Sequence, residues 1–482
     1  MRPRFALPFS VLLAVVLTLL ATSATAQAAR SQLTYVEAPH QLLDSDPTGA
    51  LDEIAASGAD GIRILLVWRR VAPDPQARRA PSFNATDPKA YPEGAWNRYD
   101  AAIDGARARG LKVHVTITGH TPLWATPSRH DGLTRPDATA FGRFATAAGR
   151  RYRDKVTMWS IWNEPNLGKW LMPIEGDASA AVYRELFLRA VSGLRTAGVR
   201  APVLLGELAP LGNRRVQGTI APLRFLRAVL CLDASWAPVR VKGRRCARLA
   251  PAGVSIHPYS TGTGPFMRPL YDRDSVTIGT LGRLSAALDK AAAAGALPPR
   301  LPIHLTEYGI QSFPDRSVGV PFGVQSDYRS MGERLAFLNP RVKSFSQYLL
   351  IDDYPSGDGW VFESGLRRHD GRPKPSFFGF RLPLVVVPAA GGRRARLWGL
   401  VRPARRAGTV TLSYRDRGRQ WRVLGRASHS GDGYWSRSVR TNPSRLWRVS
   451  WAAADGTSWS GSFTRAWTKP WSRGMPDVYP TR

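Results

Sequence analysis

The sequence predicts an α/β protein in which a (β/α)8 TIM barrel is followed by a C-terminal antiparallel β-sandwich. Between residues 31 and 383, short β-branched and aliphatic runs alternate repeatedly with amphipathic helical stretches. Beyond residue 391 the helical pattern ends, and only short strand-like runs separated by turn residues remain. The chain of 482 residues is 43% hydrophobic and 22% charged, which provides enough apolar side chains for two globular domains.

The first region has the pattern of a parallel sheet that closes on itself. An open sheet of parallel strands would leave two unpaired edges, whereas a barrel removes both and gives every helix a face to cover. The predicted strands are Leu33–Val36, Gly61–Trp68, Lys112–Thr118, Val156–Trp162, Val203–Gly206, Val254–His257, Ile303–Glu307 and Val342–Leu350. The predicted helices include Trp96–Arg109, Ala138–Tyr152, Ala180–Ala197 and Thr280–Ala294. We assign residues 30–385 to this barrel.

The second region, residues 393–467, has the pattern of an antiparallel sandwich. Its predicted strands are Arg396–Val401, Gly408–Tyr414, Gln420–Ala427, Tyr434–Val439, Leu446–Trp451 and Trp459–Arg465. We expect Trp447 and Trp451 to pack in its core, because an alternating strand buries one of its faces. Residues 468–482 are interpreted as a C-terminal tail without a recognisable pattern.

The first 26 residues have the pattern of a secretory signal peptide. Arg2 and Arg4 precede the apolar run Val11–Leu20, and Ala24-Thr25-Ala26 supplies the small residues of a cleavage site. The apolar run is shorter than the ~20 residues that a membrane-spanning helix needs, and no later segment qualifies. The sequence therefore predicts a secreted, extracellular protein without a transmembrane anchor.

The chain has two cysteines, Cys231 and Cys246. In an oxidising compartment we expect them to form one disulfide that closes a surface loop. Such a cross-link contributes roughly 3 kcal/mol in the chain-entropy model. Because no third ligand lies near them in the sequence, no metal site is expected there.

The formal net charge is +32, and arginine is scattered over both regions. A charge of this sign is compatible with an anionic partner, such as nucleic acid or an anionic polymer of the cell envelope. We find no nucleic-acid-binding motif, so specific nucleic-acid recognition is not expected. We interpret the charge mainly as a feature of adhesion and solubility.

Two glutamates occupy the C-terminal ends of predicted barrel strands, where the catalytic residues of this fold lie. Glu164 ends the run Trp159-Ser160-Ile161-Trp162-Asn163-Glu164, and Glu307 ends Ile303-His304-Leu305-Thr306-Glu307. A single glutamate is usually a surface carboxylate. A pair on the fourth and seventh strands instead predicts a shared site.

Two such carboxyls meet the needs of glycosidic bond cleavage, in which one group protonates the leaving oxygen and the other stabilises the positive centre. Residues on the fourth and seventh strands face each other across the barrel mouth, which allows the ~5–5.5 Å separation of a retaining enzyme. We predict Glu307 as nucleophile and Glu164 as acid/base. Trp159 and Trp162 are expected to desolvate Glu164 and raise its pKa, and Arg63 to keep Glu307 ionised.

The motifs Trp162-Asn163-Glu164-Pro165-Asn166 and Thr306-Glu307-Tyr308-Gly309 resemble the acid/base and nucleophile motifs of glycoside hydrolase clan A. The nearest fit is the cellulase-like family five, and the resemblance extends over residues 33–382. It implies a retaining glycosidase that acts on a β-linked poly- or oligosaccharide and requires neither a metal nor an organic cofactor.

The resemblance also implies roles for substrate-binding residues. Arg63, at the end of the second strand, is expected to support the nucleophile, and Asn163 to hydrogen-bond the sugar 2-hydroxyl. His257 and Tyr259 match the His-x-Tyr pair of the clan, although a core histidine remains the alternative for His257. His120 follows the third strand, where the clan often places residues that contact the sugar.

Three questions stay open at this point. Many clan members have a tryptophan platform on the eighth strand, where this chain has Ser346-Gln347-Tyr348, so either Gln347 or Tyr348 is its candidate replacement. The sandwich is either a carbohydrate-binding module or a structural appendage. The barrel is alternatively a glycan- or envelope-binding protein without turnover, which predicts salt-dependent retention on the polymer. Under either hypothesis we expect a monomer.

Overall fold

The computed structural model describes residues 30–212, 218–260, 264–270, 272–354, 361–404, 406–453 and 456–467. The predicted signal peptide, residues 1–26, and the predicted tail, residues 468–482, lie outside the described residues. Within the described part of the chain, no helix combines the length and the apolar character that crossing a membrane requires.

Eight parallel strands close into a barrel, in which each strand pairs with its sequence neighbour and the last pairs with the first. The barrel strands are β1 Leu33–Glu37, β2 Gly61–Val67, β3 Lys112–Thr118, β4 Met158–Ile161, β5 Val203–Leu208, β6 Gly253–Ile256, β7 Ile303–Leu305 and β8 Val342–Tyr348. Each coincides with a predicted strand apart from its ends. The predicted TIM barrel is therefore confirmed.

Helices cover the outside of the barrel. They are α1 Pro39–Leu43, α2 Thr48–Ser57, α3 Trp68–Val71, α4 Asn97–Ala108, α5 Ala138–Tyr152, α6 Ala178–Thr196, α7 Pro222–Val229, α8 Leu281–Ala293, α9 Phe322–Leu338 and α10 Pro375–Arg381. Helix α5 illustrates why they form: the Asp137 side chain caps its first turn by accepting from the backbone N–H groups of Thr139 and Ala140. Phe141 and Phe144 on one face are fully buried in the core.

The region after the barrel forms two antiparallel sheets. Its strands are β9 Leu384–Pro388, β10 Arg394–Gly399, β11 Gly408–Arg415, β12 Arg422–His429, β13 Trp435–Arg440, β14 Leu446–Ala452, β15 Ser458–Ser460 and β16 Thr464–Arg465. One sheet has the order β9-β10-β13 and the other β12-β11-β14-β15, with β16 also paired to β14. The two sheets share one apolar core, in which Trp447 is fully buried and Trp451 is partly buried. The predicted antiparallel sandwich is confirmed.

Two features of this region differ from the expectation. Strand β9 was not predicted, so the antiparallel structure begins at Leu384 rather than at residue 393. The predicted last strand, Trp459–Arg465, is divided into β15 and β16. In the barrel domain, Cys231 and Cys246 form the predicted disulfide, with a Cα–Cα distance of 6.2 Å.

Buried contacts join the sandwich to α9 and α10 of the barrel domain. The ring of Phe337 in α9 packs against Trp398 and Tyr434 of the sandwich, with centroid distances of 5.4 and 4.4 Å. Beside them, Arg402 of the sandwich forms a buried ion pair with Glu333 of α9. The Arg402 guanidinium also donates to the carbonyl of Phe380 in α10 at 2.5 Å.

The buried polar contacts continue from the sandwich to β8. Glu333, the partner of Arg402, also accepts from Arg329 at 2.8 Å, and Arg329 Nε donates to Gln347 Oε1 at 2.8 Å. Gln347 in turn donates to the carbonyl of Ser364 at 3.0 Å. The sandwich therefore helps to fix the end of the eighth barrel strand.

We expect Arg402→Met to lower the free energy of unfolding by on the order of 3 kcal/mol, because the buried Glu333 loses one of its two cations. Urea unfolding measures this loss, and the exposed arginine of the same domain, Arg396, provides the matched control Arg396→Met. Equal stability of the two variants would contradict the structural role of Arg402.

Candidate active site

Glu164 lies at the mouth of the barrel, shortly after β4. The chain turns sharply there, with φ angles of 70° at Trp162 and 40° at Glu164. Asn166 fixes the turn to the segment after β5, because its side chain donates to the Ala209 carbonyl at 3.1 Å and accepts from the Ala209 N–H at 2.8 Å. The second asparagine of the motif is thus an anchor that positions Glu164.

Glu307 lies after β7, on the other side of the mouth. Its Oε1 accepts from Arg63 Nη1 at 2.9 Å, and its Oε2 accepts from the Tyr259 hydroxyl at 2.9 Å. The chain then passes so close to β8 that a Cβ on Gly309 would lie 2.2 Å from the Tyr348 carbonyl oxygen. Glycine is therefore required in the motif for a steric reason.

His257 lies between the two carboxyls. Its Nδ1 is 3.1 Å from Glu164 Oε1 and 3.4 Å from Glu307 Oε2. One oxygen of each glutamate and one ring nitrogen all lie within 4.8 Å of one another. In the described part of the chain, this is the one cluster of such groups close enough to hold a metal ion.

Arg63 lies at the centre of the buried charges. Its position is corrected: it is the third residue of β2 rather than the end of that strand, and its long side chain reaches the mouth from inside the barrel. Its guanidinium contacts carboxylate oxygens of Glu37 at 2.6 Å, Glu207 at 2.5 Å and Glu307 at 2.9 Å. It also donates to Asn163 Oδ1 at 3.0 Å.

Glu37 and Glu207 were missed from the sequence. Each is an acidic residue near the C-terminal end of a largely apolar barrel strand, β1 or β5, and this was the signal that could have identified them. Glu207 is fully buried and also accepts from Thr116 Oγ1 at 2.9 Å. Burial raises the pKa of Glu37 well above its usual range, and Arg63 offsets only part of this effect.

The prediction that Trp159 and Trp162 raise the pKa of Glu164 is wrong. Burial does raise this pKa, but the hydrogen bond and charge of His257, together with the charge of Lys169, lower it by more. The Lys169 ammonium is 3.6 Å from Glu164 Oε2. The net result is a pKa below the ordinary value of a glutamate.

A cavity of about 510 Å³ opens above these groups, within the ~300–1,000 Å³ range of small-molecule sites. Its lining includes Glu37, Arg63, Asn163, Glu164, Lys169, Trp170, Tyr259, Glu307, Tyr348 and Phe362. A smaller cavity of about 160 Å³ shares Leu211, Tyr259 and Phe362 with it. Both carboxyls are therefore accessible from one cleft.

The structure brings six of the seven predicted catalytic and substrate-binding residues together, and His120 is the exception. His120 does not line the cavity, because its ring lies beside Trp170, with a centroid distance of 5.6 Å, and its Nε2 is 3.2 Å from the Lys169 carbonyl oxygen. His120 is exposed and lies beside Trp170 and Lys169 at the edge of the cleft.

The candidate replacements for the tryptophan platform on the eighth strand are now distinguished. Gln347 is buried and held by Arg329 and by the Ser364 carbonyl. Tyr348 lines the cavity, edge-on to Tyr259 at 6.3 Å and to Phe362 at 5.2 Å between ring centroids. Tyr348 is therefore the aromatic residue that β8 contributes to the cleft.

Known sequences are similar to the first half of the barrel. Residues 27–216, which include β1 to β5 and Glu164 but not Glu307, match the model of the cellulase family (glycosyl hydrolase family 5). The chain is 31% identical over 167 residues to a beta-glucosidase from Agrobacterium sp. and 25% identical over 176 residues to a 6-phospho-beta-glucosidase from Dickeya chrysanthemi. These matches cover 34% and 35% of this chain, and the chain spans about a third of the length of either relative.

Two solved structures are similar in fold to most of this chain. A family 39 glycoside hydrolase from Bacteroides cellulosilyticus WH2 has a TM-score of 0.52 and 16% identity, with 88% of this chain and 81% of that chain covered. A glucosidase from Croceicoccus marinus has a TM-score of 0.52 and 12% identity, with 87% and 95% covered. The resemblance noted in the sequence motifs is confirmed: the first half of the barrel matches the cellulase family model, and most of the chain shares its fold with these solved structures.

Proposed function

We propose that the protein is a retaining glycoside hydrolase that cleaves O-glycosidic bonds of a β-linked oligo- or polysaccharide. The observation that supports this most is that one carboxyl oxygen of Glu164 and one of Glu307 lie within 4.8 Å of each other in one cleft. Retaining enzymes keep their carboxyls ~5–5.5 Å apart for direct attack, whereas inverting enzymes leave about 6.5–9.5 Å for a water molecule. An oxygen–oxygen distance of at most 4.8 Å agrees with the shorter, retaining separation.

The first step forms a glycosyl-enzyme. Glu307 attacks the anomeric carbon while Glu164 donates its proton to the glycosidic oxygen, so that the carbon–oxygen bond to the leaving group breaks as the bond to Glu307 forms. Arg63 and Tyr259 hold the attacking carboxylate in place. Burial and the neighbouring Glu307 raise the pKa of Tyr259 well above its ordinary value, so Tyr259 remains a neutral hydrogen-bond donor.

The second step releases the sugar. Glu164, now a carboxylate, takes a proton from a water molecule as that water attacks the anomeric carbon and displaces Glu307. The low pKa of Glu164 favours the carboxylate form that this step requires. The site is thereby returned to its starting protonation state.

We also propose that the enzyme is exported. Two observations support this: the leader-like pattern of residues 1–26 and the disulfide between Cys231 and Cys246. A disulfide of this kind persists in an oxidising compartment and is rare in the cytosol.

Azide rescue of Glu164→Ala tests the proposed roles. With an aryl β-glycoside, whose phenolate leaves without protonation, this variant is expected to form the glycosyl-enzyme and then to stall, since no base activates water. Azide needs no base, so it should restore turnover and yield a β-glycosyl azide. The exposed Glu185 provides the control Glu185→Ala, which should behave as wild type. Absence of both rescue and azide product would overturn the assignment of Glu164.

The pH profile tests the contact between Lys169 and Glu164. Because the general acid must be protonated, kcat/KM falls as the pH rises through the pKa of Glu164. Lys169 lowers that pKa, so Lys169→Met is expected to move the alkaline limb of the profile toward higher pH. The exposed Lys290 provides the control Lys290→Met. An unmoved limb, or a move to lower pH, would contradict the contact.

A further inference from the structure

The five-stranded sheet, β12-β11-β14-β15 with β16, has an outer face that points away from the core it shares with the three-stranded sheet. The three-stranded sheet contacts the barrel domain through Trp398, and the edge of the five-stranded sheet contacts it through Trp459, whose ring centroid lies 3.7 Å from the guanidinium carbon of Arg381 in α10. Strands β12, β11 and β14 lie on the other side of the sandwich core. Val410 and Leu412 of β11 point into that core, as does Val449 of β14. Side chains alternate along a strand, so their neighbours Thr411 and Ser450 point outward.

This outer face carries arginine side chains among hydroxyl groups. Thr411 pairs across the strands with the exposed Arg426 on one side and with Ser450 on the other. Arg415 and Arg448 occupy outward positions on β11 and β14. We call this surface the arginine face, and we define it by Arg415, Trp421, Arg426, Arg448, Thr411 and Ser450.

Two of the guanidinium groups are held in place without using an acidic partner. The guanidinium carbons of Arg448 and Arg415 lie 4.5 and 5.2 Å from the ring centroid of Trp421. Cation–π contacts of this kind orient a guanidinium and leave its N–H groups available. Asp416, the next residue after Arg415, is engaged by Arg445 at 2.8 Å. Among the described residues, no acidic side chain forms a salt bridge with the three arginines of the face.

We infer that the arginine face binds an acidic polysaccharide through its carboxylate groups. A guanidinium binds a carboxylate by two parallel hydrogen bonds, and a surface with three of them suits a repeating anion better than an isolated one. The neighbouring hydroxyl side chains match the hydroxyl groups of a sugar chain. The net charge of +32 favours the approach of any polyanion.

The same observations favour a glycan over nucleic acid. Proteins that bind single strands offer aromatic faces to the bases, whereas the ring of Trp421 is in contact with two guanidinium groups. The choice of a glycan also agrees with the proposed function of the barrel, on which it partly rests. An attached polysaccharide-binding face would keep the enzyme close to its substrate.

Binding to polygalacturonate tests the inference. Fully methyl-esterified polygalacturonate is the control ligand, because it has the same sugar chain without the carboxylate charges. Every protein used in this assay also has the Glu307→Gln substitution, so that cleavage of the polymer does not interfere with the binding measurement. We expect binding to polygalacturonate alone, weakening at least about tenfold between low and high salt. At low salt, the triple variant Arg415→Gln, Arg426→Gln, Arg448→Gln is expected to bind polygalacturonate at least about tenfold more weakly than the protein with an intact arginine face. The control replaces three exposed arginines of the barrel domain, Arg189, Arg200 and Arg244, by glutamine and should bind normally.

Three results would overturn the inference. Equal loss in the two triple variants would show that net charge alone attracts the polymer. Equal binding of the esterified polymer would exclude recognition of carboxylates, and tighter binding of single-stranded DNA would identify a nucleic-acid surface instead. Because the readout is binding without turnover, its failure leaves the proposed hydrolase activity untouched, and loss of that activity would not affect this result.

Discussion

Glu307→Gln is expected to lower kcat/KM by on the order of 10⁴-fold or more, because an amide oxygen does not form the covalent intermediate. The loss should appear with every glycoside that the wild type cleaves, including aryl glycosides with good leaving groups. The size of this loss distinguishes Glu307 from Glu164, because replacing Glu164 removes a proton transfer that accelerates the reaction by about 10²–10⁴-fold.

The fold should tolerate the Glu307→Gln change. Glu37 and Glu207 also contact Arg63, so removing one of three carboxylates relieves repulsion in a buried cluster. We expect a melting temperature at or above that of the wild type, which thermal unfolding measures alongside kcat/KM. Glu185→Gln on the exposed face of α6 is the control. Near-normal turnover by Glu307→Gln would contradict its assignment as nucleophile.

Arg63→Met is expected to have the largest combined effect on stability and activity. Three buried carboxylates lose their shared cation, and removing one member of a buried ion pair typically costs about 3–5 kcal/mol. The nucleophile also loses the contact that fixes it, so kcat/KM should fall together with the free energy of unfolding. Urea unfolding and steady-state kinetics on the same preparation measure both quantities.

The stability deficit of Arg63→Met should depend on pH in a known direction. Burial raises the pKa of Glu37, and without the guanidinium nothing from Arg63 offsets this effect, so the folded state binds more protons than the unfolded state. Its stability then falls as the pH rises and recovers as the carboxyls are protonated. A deficit that is constant with pH would contradict the electrostatic role of Arg63.

Arg63→Lys separates the charge of Arg63 from its geometry. A lysine ammonium restores one positive charge, but it lacks the planar fork that contacts three carboxylates and Asn163 together. We expect this variant to recover more stability than activity. Full recovery of kcat/KM by lysine would show that charge alone is sufficient.

The barrel could be predicted because each strand is a local apolar run with its own boundaries. Lys112–Thr118, for example, was predicted without error at either end. Strand β9 was missed because Leu384–Pro388 follows α10 almost directly and resembles the end of the barrel region. Its assignment depends on pairing with β10, a contact that a single strand's pattern does not reveal.

The catalytic pair could be predicted from position, whereas the charges around it could not. Glu164 and Glu307 stand out because each follows a strand in a distinctive motif. The partners that decide the pKa of Glu164 lie in separate segments, His257 after β6 and Lys169 in the turn after β4. Only closure of the barrel brings Glu207 to Arg63, which is why the carboxylate cluster was missed.

The stereochemistry of the first product tests the central claim most directly. Proton NMR of an aryl β-glycoside during early turnover by the wild type shows which anomer forms before mutarotation. The proximity of Glu164 and Glu307 predicts that the β-anomer is released first, since two displacements at one carbon retain its configuration. Release of the α-anomer first would contradict the covalent mechanism and the role of Glu307 in it.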